Sequence, residues 1–113
     1  MARKRWHILR EGAGLTLCRH LPPRFDFAVS TVLPHGRAAR LAHQIRQDLW
    51  RALQRVRGFS PVVQLEQVAD GWRVTAGGRV AGPVPAAVVA RADAVLTDPL
   101  RQKRWLKNAR ATQ

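Results

Sequence analysis

Carboxylates, cysteines and long apolar runs are all scarce in this chain of 113 residues, which has seven acids and one cysteine. The lone Cys18 excludes an internal disulfide and fits a reducing compartment. No stretch approaches the roughly 20 apolar residues that span a bilayer, so no membrane span is expected. The basic start, Ala2-Arg3-Lys4-Arg5, lacks the apolar run of about 7–15 residues that a secretory signal needs, because His7, Arg10 and Glu11 interrupt it. A cytoplasmic location is the expectation.

Signatures of chemistry are missing too. Ser30 and Ser60 sit in no nucleophile elbow. Nothing in the sequence recommends pairing Cys18 or Ser30 with His20 or His35. Gly12-x-Gly14 and Gly77-Gly78 do not join a strand to a helix and no Gly-Lys-Ser/Thr follows them, so they read as turns rather than phosphate loops. Cys18 and His20, with His7 across a proposed hairpin, have no zinc-ligand spacing. The acids are scattered, and Asp70 and Asp98 already serve a turn and a helix cap. No enzyme, metal or cofactor is expected.

What the chain has is positive charge and a core. Its net charge is +13, from 17 arginines and three lysines, and 46% of its residues are hydrophobic. Arginine over lysine, beside abundant alanine and valine, fits a GC-rich genome, but codon bias does not explain the scarcity of acids. The excess is uneven: residues 1–24, 37–57 and 99–113 are strongly basic, whereas 58–98 is slightly acidic. Such a pattern predicts one or two basic faces on a near-neutral body.

Residues 36–57 carry the clearest pattern. At about 100° per residue, Ala38, Leu41, Ile45, Leu49, Ala52 and Val56 fall on one side of a helix. Arg37, Arg40, Gln44, Gln47, Arg51 and Arg55 fall on the other, interrupted only by Asp48. Gly58 is the expected C′ residue. Guanidinium forks along such a face suit phosphate oxygens, although a solvated or internally paired face would show the same pattern. Trp50, on the flank beside His43 and Arg46, either stacks on an unpaired base or covers the rim of the core or the terminal helix. The terminal segment repeats the theme, with Leu100, Trp105, Leu106 and Ala109 able to dock and Lys103, Arg104, Lys107 and Arg110 left wet. A favourable helix dipole accounts for one or two of those cations, hardly for all.

Around these helices, strand signals occur at 5–10, 15–20 and 25–33. They recur at 62–68 and 72–76 about an Asp70-Gly71 type I′ turn. Gly77-Gly78 then predicts a further turn into Arg79-Val80. Residues 86–96 and 99–110 read as helices, the second opened by Asp98-Pro99. The expected fold is a single α+β domain over 1–113, with residues 1–4 as a mobile basic arm. About six short, mostly antiparallel strands would be packed by one long amphipathic helix and two C-terminal helices.

The order helix, three-stranded meander, helix over residues 36–96 is similar to that of double-stranded-RNA-binding domains. Pro85-Ala86-Ala87 stands where that family carries a basic cluster, so no site residue is carried over. The functional expectation is backbone binding of nucleic acid, RNA ahead of DNA, through Arg37, Arg40, Arg51 and Arg55, with Lys103, Arg104 and Lys107 adding to the footprint. The alternative is an accessory protein whose basic face docks on an acidic protein, anchored by Trp50 or Trp105.

Overall fold

Two tight hairpins and one long edge strand make the sheet. The computed structural model describes residues 5–110, and the basic arm expected over residues 1–4 lies outside them. Strands β1 (His7–Glu11) and β2 (Gly14–Cys18) turn through Gly12-Ala13, where Gly12 takes a φ of 59° that suits the first position of a hairpin turn. Strands β4 (Ser60–Val68) and β5 (Gly71–Arg79) form the second hairpin, and β3 (Phe27–Pro34) pairs with β5. All pairings are antiparallel, in the order β1-β2-β4-β5-β3.

Because β3 lies at the far edge from β2, residues 19–26 must cross the ends of β4 and β5. Arg79 Nη2 donates to the Pro22 carbonyl there (2.6 Å). Asp26 accepts from the Val80 amide (2.9 Å) and from both forks of Arg24 (2.9 and 3.0 Å). The Arg24 contacts first, and the Val80 amide second, hold the Asp26 carboxyl below the usual carboxylate range.

The sheet has five strands, not six. Gly77 and Gly78 lie inside β5 rather than in a turn. Backbone crowding explains this: a Cβ on Gly77 would lie 2.0 Å from the Phe27 carbonyl oxygen, and one on Gly78 would lie 2.0 Å from that of Ser60. The glycines let β3 and β4 close in from either side. The β4–β5 turn is Ala69-Asp70, and neither residue has positive φ, which excludes the type I′ turn expected at Asp70-Gly71. With β2 inserted beside β4 and β3 beside β5, the meander of a double-stranded-RNA-binding domain is not formed.

Register places Leu15, Leu17, Val63, Leu65, Val74, Ala76 and Leu33 on one buried face of the sheet. Helices α1 (Ala38–Leu53) and α2 (Ala86–Leu96) cover that face, and α3 (Pro99–Asn108) packs against those two helices. The predicted apolar stripe of α1 is the one that faces inward, with Leu41, Ile45 and Leu49 fully buried. The helix is shorter than its periodicity suggests. Arg37 is the N-cap, and the chain leaves α1 after Leu53, where the Val56 amide takes the Leu53 carbonyl (2.9 Å). The Ala81 amide then claims the Arg57 carbonyl (2.9 Å), drawing the chain toward β5. Arg55, Val56 and Gly58 therefore lie in the turns beyond the helix, and Gly58 is not its C′ residue.

Helix α3 begins as its sequence predicts. Asp98 accepts from the Leu100 amide (3.1 Å) and from Arg101 Nη1 (2.7 Å), with Pro99 in the first turn. Replacing Asp98 with Ala should cost about 1 kcal/mol. A thermal melt should read that as a drop of about 4 °C for a domain of this size. Leu100, expected to dock, is 78% exposed, because only the later turns of α3 reach the core through Trp105 and Ala109.

Candidate nucleic-acid interface

The residue that interrupted the basic stripe turns out to organise it. Asp48 is buried on α1, and its Oδ2 accepts from Trp105 Nε1 (2.8 Å) and from Arg104 Nη2. Its Oδ1 lies 3.8 Å from Arg51 Nη1. Trp105 is wholly buried, so its indole N–H needs a partner inside the protein, and Asp48 supplies one. One turn earlier, Gln44 Nε2 donates to the Trp105 carbonyl (2.9 Å), and Asn108 Nδ2 donates to Gln44 Oε1 (3.1 Å). The Arg37 amide donates to the Ala109 carbonyl (2.7 Å). These contacts lay α3 antiparallel beside α1, with its C-terminal end against the start of α1.

Between the two helices runs a groove of about 650 Å³, lined by Arg40, His43, Gln47, Asp48, Arg51 and Arg104 among others. Asp48 is its single acid, set against three guanidinium groups. Burial, and then the charge of Arg46, lowers the pKa of His43 below that of a free imidazole, so His43 is uncharged at neutral pH. Arg37 and Arg40 are exposed and take part in none of the four ion pairs among the described residues; Arg55 is likewise unpaired. Arg37 and Arg40 also stand at the positive end of α1, whose first turn contains no acid. Cations there are opposed by the helix dipole, so internal stability gives no reason for them.

The predicted site residues do not form one patch. Arg40, Arg51 and Arg104 converge on the groove, Arg37 stands at the start of α1 and Arg55 in the turn beyond its end. Lys103 and Lys107 project from another side of α3, into a smaller hollow with Pro34, His35 and Arg110. Trp105, offered as an exposed anchor for a protein partner, is fully buried and cannot serve as one. Trp50 is 41% exposed and lies parallel to Phe59, with 8° between the ring planes and 6.1 Å between centroids. It meets the core rim, not the terminal helix.

A second cavity, of about 290 Å³, opens on the opposite flank of α1. Trp6, Trp50 and Phe59 supply its aromatic walls, and Arg19, Arg46 and the pair His20–Ser60 supply its polar ones. The guanidinium carbon of Arg46 lies 4.6 Å from the Trp6 ring centroid, and that of Arg19 lies 6.0 Å away. His20 Nδ1 and Ser60 Oγ are 2.9 Å apart. Sequence reasoning did not assemble this cavity. One signal was available: the β1–β2 register pairs His7 with Cys18, which sets Trp6 opposite Arg19 one step further along.

Among the described residues, no helix is long and apolar enough to cross a membrane and no three His, Cys, Asp or Glu side chains cluster as metal ligands would. No known protein family, characterised protein or solved structure matches the chain.

Proposed function

We propose that this is a small, non-enzymatic nucleic-acid-binding protein that holds the phosphate backbone, RNA ahead of DNA, along the α1–α3 groove. The observation that carries the reading is the meeting of Arg40, Arg51 and Arg104 around a groove whose only acid is buried. Arg51 and Arg104 share that one carboxylate, and Arg40, Arg37 and Arg55 extend the positive track without any among the described residues. Planar forks of this kind match phosphate oxygens in geometry as well as charge. Lys103 and Lys107 lie around the side of α3, where they add long-range attraction rather than groove contacts. Backbone contacts position a strand without reading its sequence, so base preference should be weak.

The test is a salt titration of the full chain with a labelled oligonucleotide. With Arg37, Arg40, Arg51, Arg55 and Arg104 each meeting one phosphate of a single strand, log K should fall with log salt at a slope of about −3.5. Raising salt from about 50 to about 200 mM should then weaken binding by about 100-fold. A flat response would refute the proposal. Equal binding of polyglutamate and RNA at the same salt would also refute it, in favour of an acidic protein surface as the partner.

A further inference from the structure

The cavity beside Trp50 has a composition that the backbone track does not account for. It holds aromatic faces and cationic donors but no carboxylate. Trp50 and Phe59 are parallel, with ring centroids 6.1 Å apart. Trp50 remains 41% exposed, whereas Trp72 (7%) and Trp105 (0%) are buried. Arg46 lies over Trp6 rather than Trp50 and lines the cavity with its guanidinium group.

Position ties this cavity to the groove. Arg46 and Trp50 are one turn apart on the same flank of α1, and His43 and Gln47, which line the groove, lie between them and the basic ridge. A strand whose phosphates follow Arg40 and Arg51 therefore passes within reach of Trp50. Duplex bases are stacked inward and cannot enter such a cavity, whereas an unpaired base can turn out onto an aromatic face. At about 290 Å³ the space is at the lower limit of small-ligand pockets, which suits one planar ring system and not two.

We infer that the polyanion is single-stranded and that one of its bases leaves the backbone track to stack on Trp50, where Arg46 donates to a carbonyl or ring-nitrogen acceptor on the base edge. This rests on the nucleic-acid reading above and specifies the strand form and the second contact. His20 and Ser60, already paired with each other, complete the polar wall that faces the base.

The experiment compares four probes with the full chain at one salt concentration: a single-stranded oligothymidylate of about 12 nucleotides, the oligouridylate of the same length, the same deoxyribose-phosphate strand with abasic sites throughout, and a duplex of the same length. Binding to both base-bearing single strands should exceed binding to the abasic strand by about 5- to 100-fold, and should exceed binding to the duplex as well. Replacing Trp50 with Ala should remove that advantage and leave the salt slope unchanged, while Trp50→Phe should keep most of it. The abasic comparison uses the unaltered protein, so it stands even if Trp50→Ala fails to fold. If base-bearing and abasic strands bind equally, the base-pocket inference is overturned while the backbone proposal survives. If no probe binds, both are overturned together.

Discussion

Replacing Asp48 with Ala should lower the melting temperature by about 10 °C or more. The side chain sits at the junction of α1 and α3, where its Oδ2 takes the Trp105 indole N–H at 2.8 Å and the Arg104 guanidinium. Removing it leaves a fully buried indole donor with nothing to bond, at a cost of about 1–3 kcal/mol. The charge-assisted contact to Arg104 and the looser one to Arg51 are lost as well. A total of about 3 kcal/mol corresponds to about 12 °C for a domain of this length. Asp48→Asn keeps an acceptor for Trp105 and should cost less. Trp105→Phe leaves no stranded indole N–H, and its cost is instead that of the space a smaller ring leaves in the core. Calorimetric or circular-dichroism melts of the three variants check these costs. If Asp48→Ala melts with the parent protein, the carboxylate does not hold the helices together.

Charge reversal at the start of α1 should separate binding from stability. Arg37→Glu with Arg40→Glu changes four units of charge, each worth about 1 kcal/mol beside a phosphate in water. Affinity for an RNA single strand at about 50 mM salt should therefore drop by about 10³-fold. The fold should not suffer, because both side chains are exposed and neither is in an ion pair among the described residues. Two carboxylates at the positive end of a helix favour it, so the melting temperature should hold or rise slightly. A fall in affinity that tracked a fall in melting temperature would speak against a direct contact. Arg51→Glu is a poorer probe, since it would place a second carboxylate beside buried Asp48. Lys103→Glu with Lys107→Glu should have a smaller effect on affinity, because those side chains face away from the groove.

Local pattern carried much of this architecture. Strict alternation over residues 25–33 produced β3, and Asp98-Pro99 opened α3 because a cap needs only neighbours in sequence. The buried stripe of α1 followed from its period. The errors arose where distant backbone or side chains decide. Gly77-Gly78 looks like a turn until β3 and β4 press on both sides of it. Leu100 looks like a docking residue until α3 is seen to meet the core only at its later turns. Asp48 looked like a flaw in a basic face, because its partners lie more than fifty residues further along the chain. The same limit divided the candidate site: the period of α3 separates Arg104 from Lys103 and Lys107, but only docking shows which of them meets α1. The Trp6 cavity needed four separate segments, the residue before β1, those after β2, α1 and the start of β4, to be placed at once.

The groove also has a place in time. One wall is α1, and the other is built from Arg104 and Asn108, about sixty residues later and close to the end of the sequence described. A nascent chain still emerging from the ribosome displays the arginines of α1 long before Arg104 and Trp105 arrive to claim Asp48. Only when Arg104 and Trp105 have been made can that acid take their donors and the second wall of the groove form.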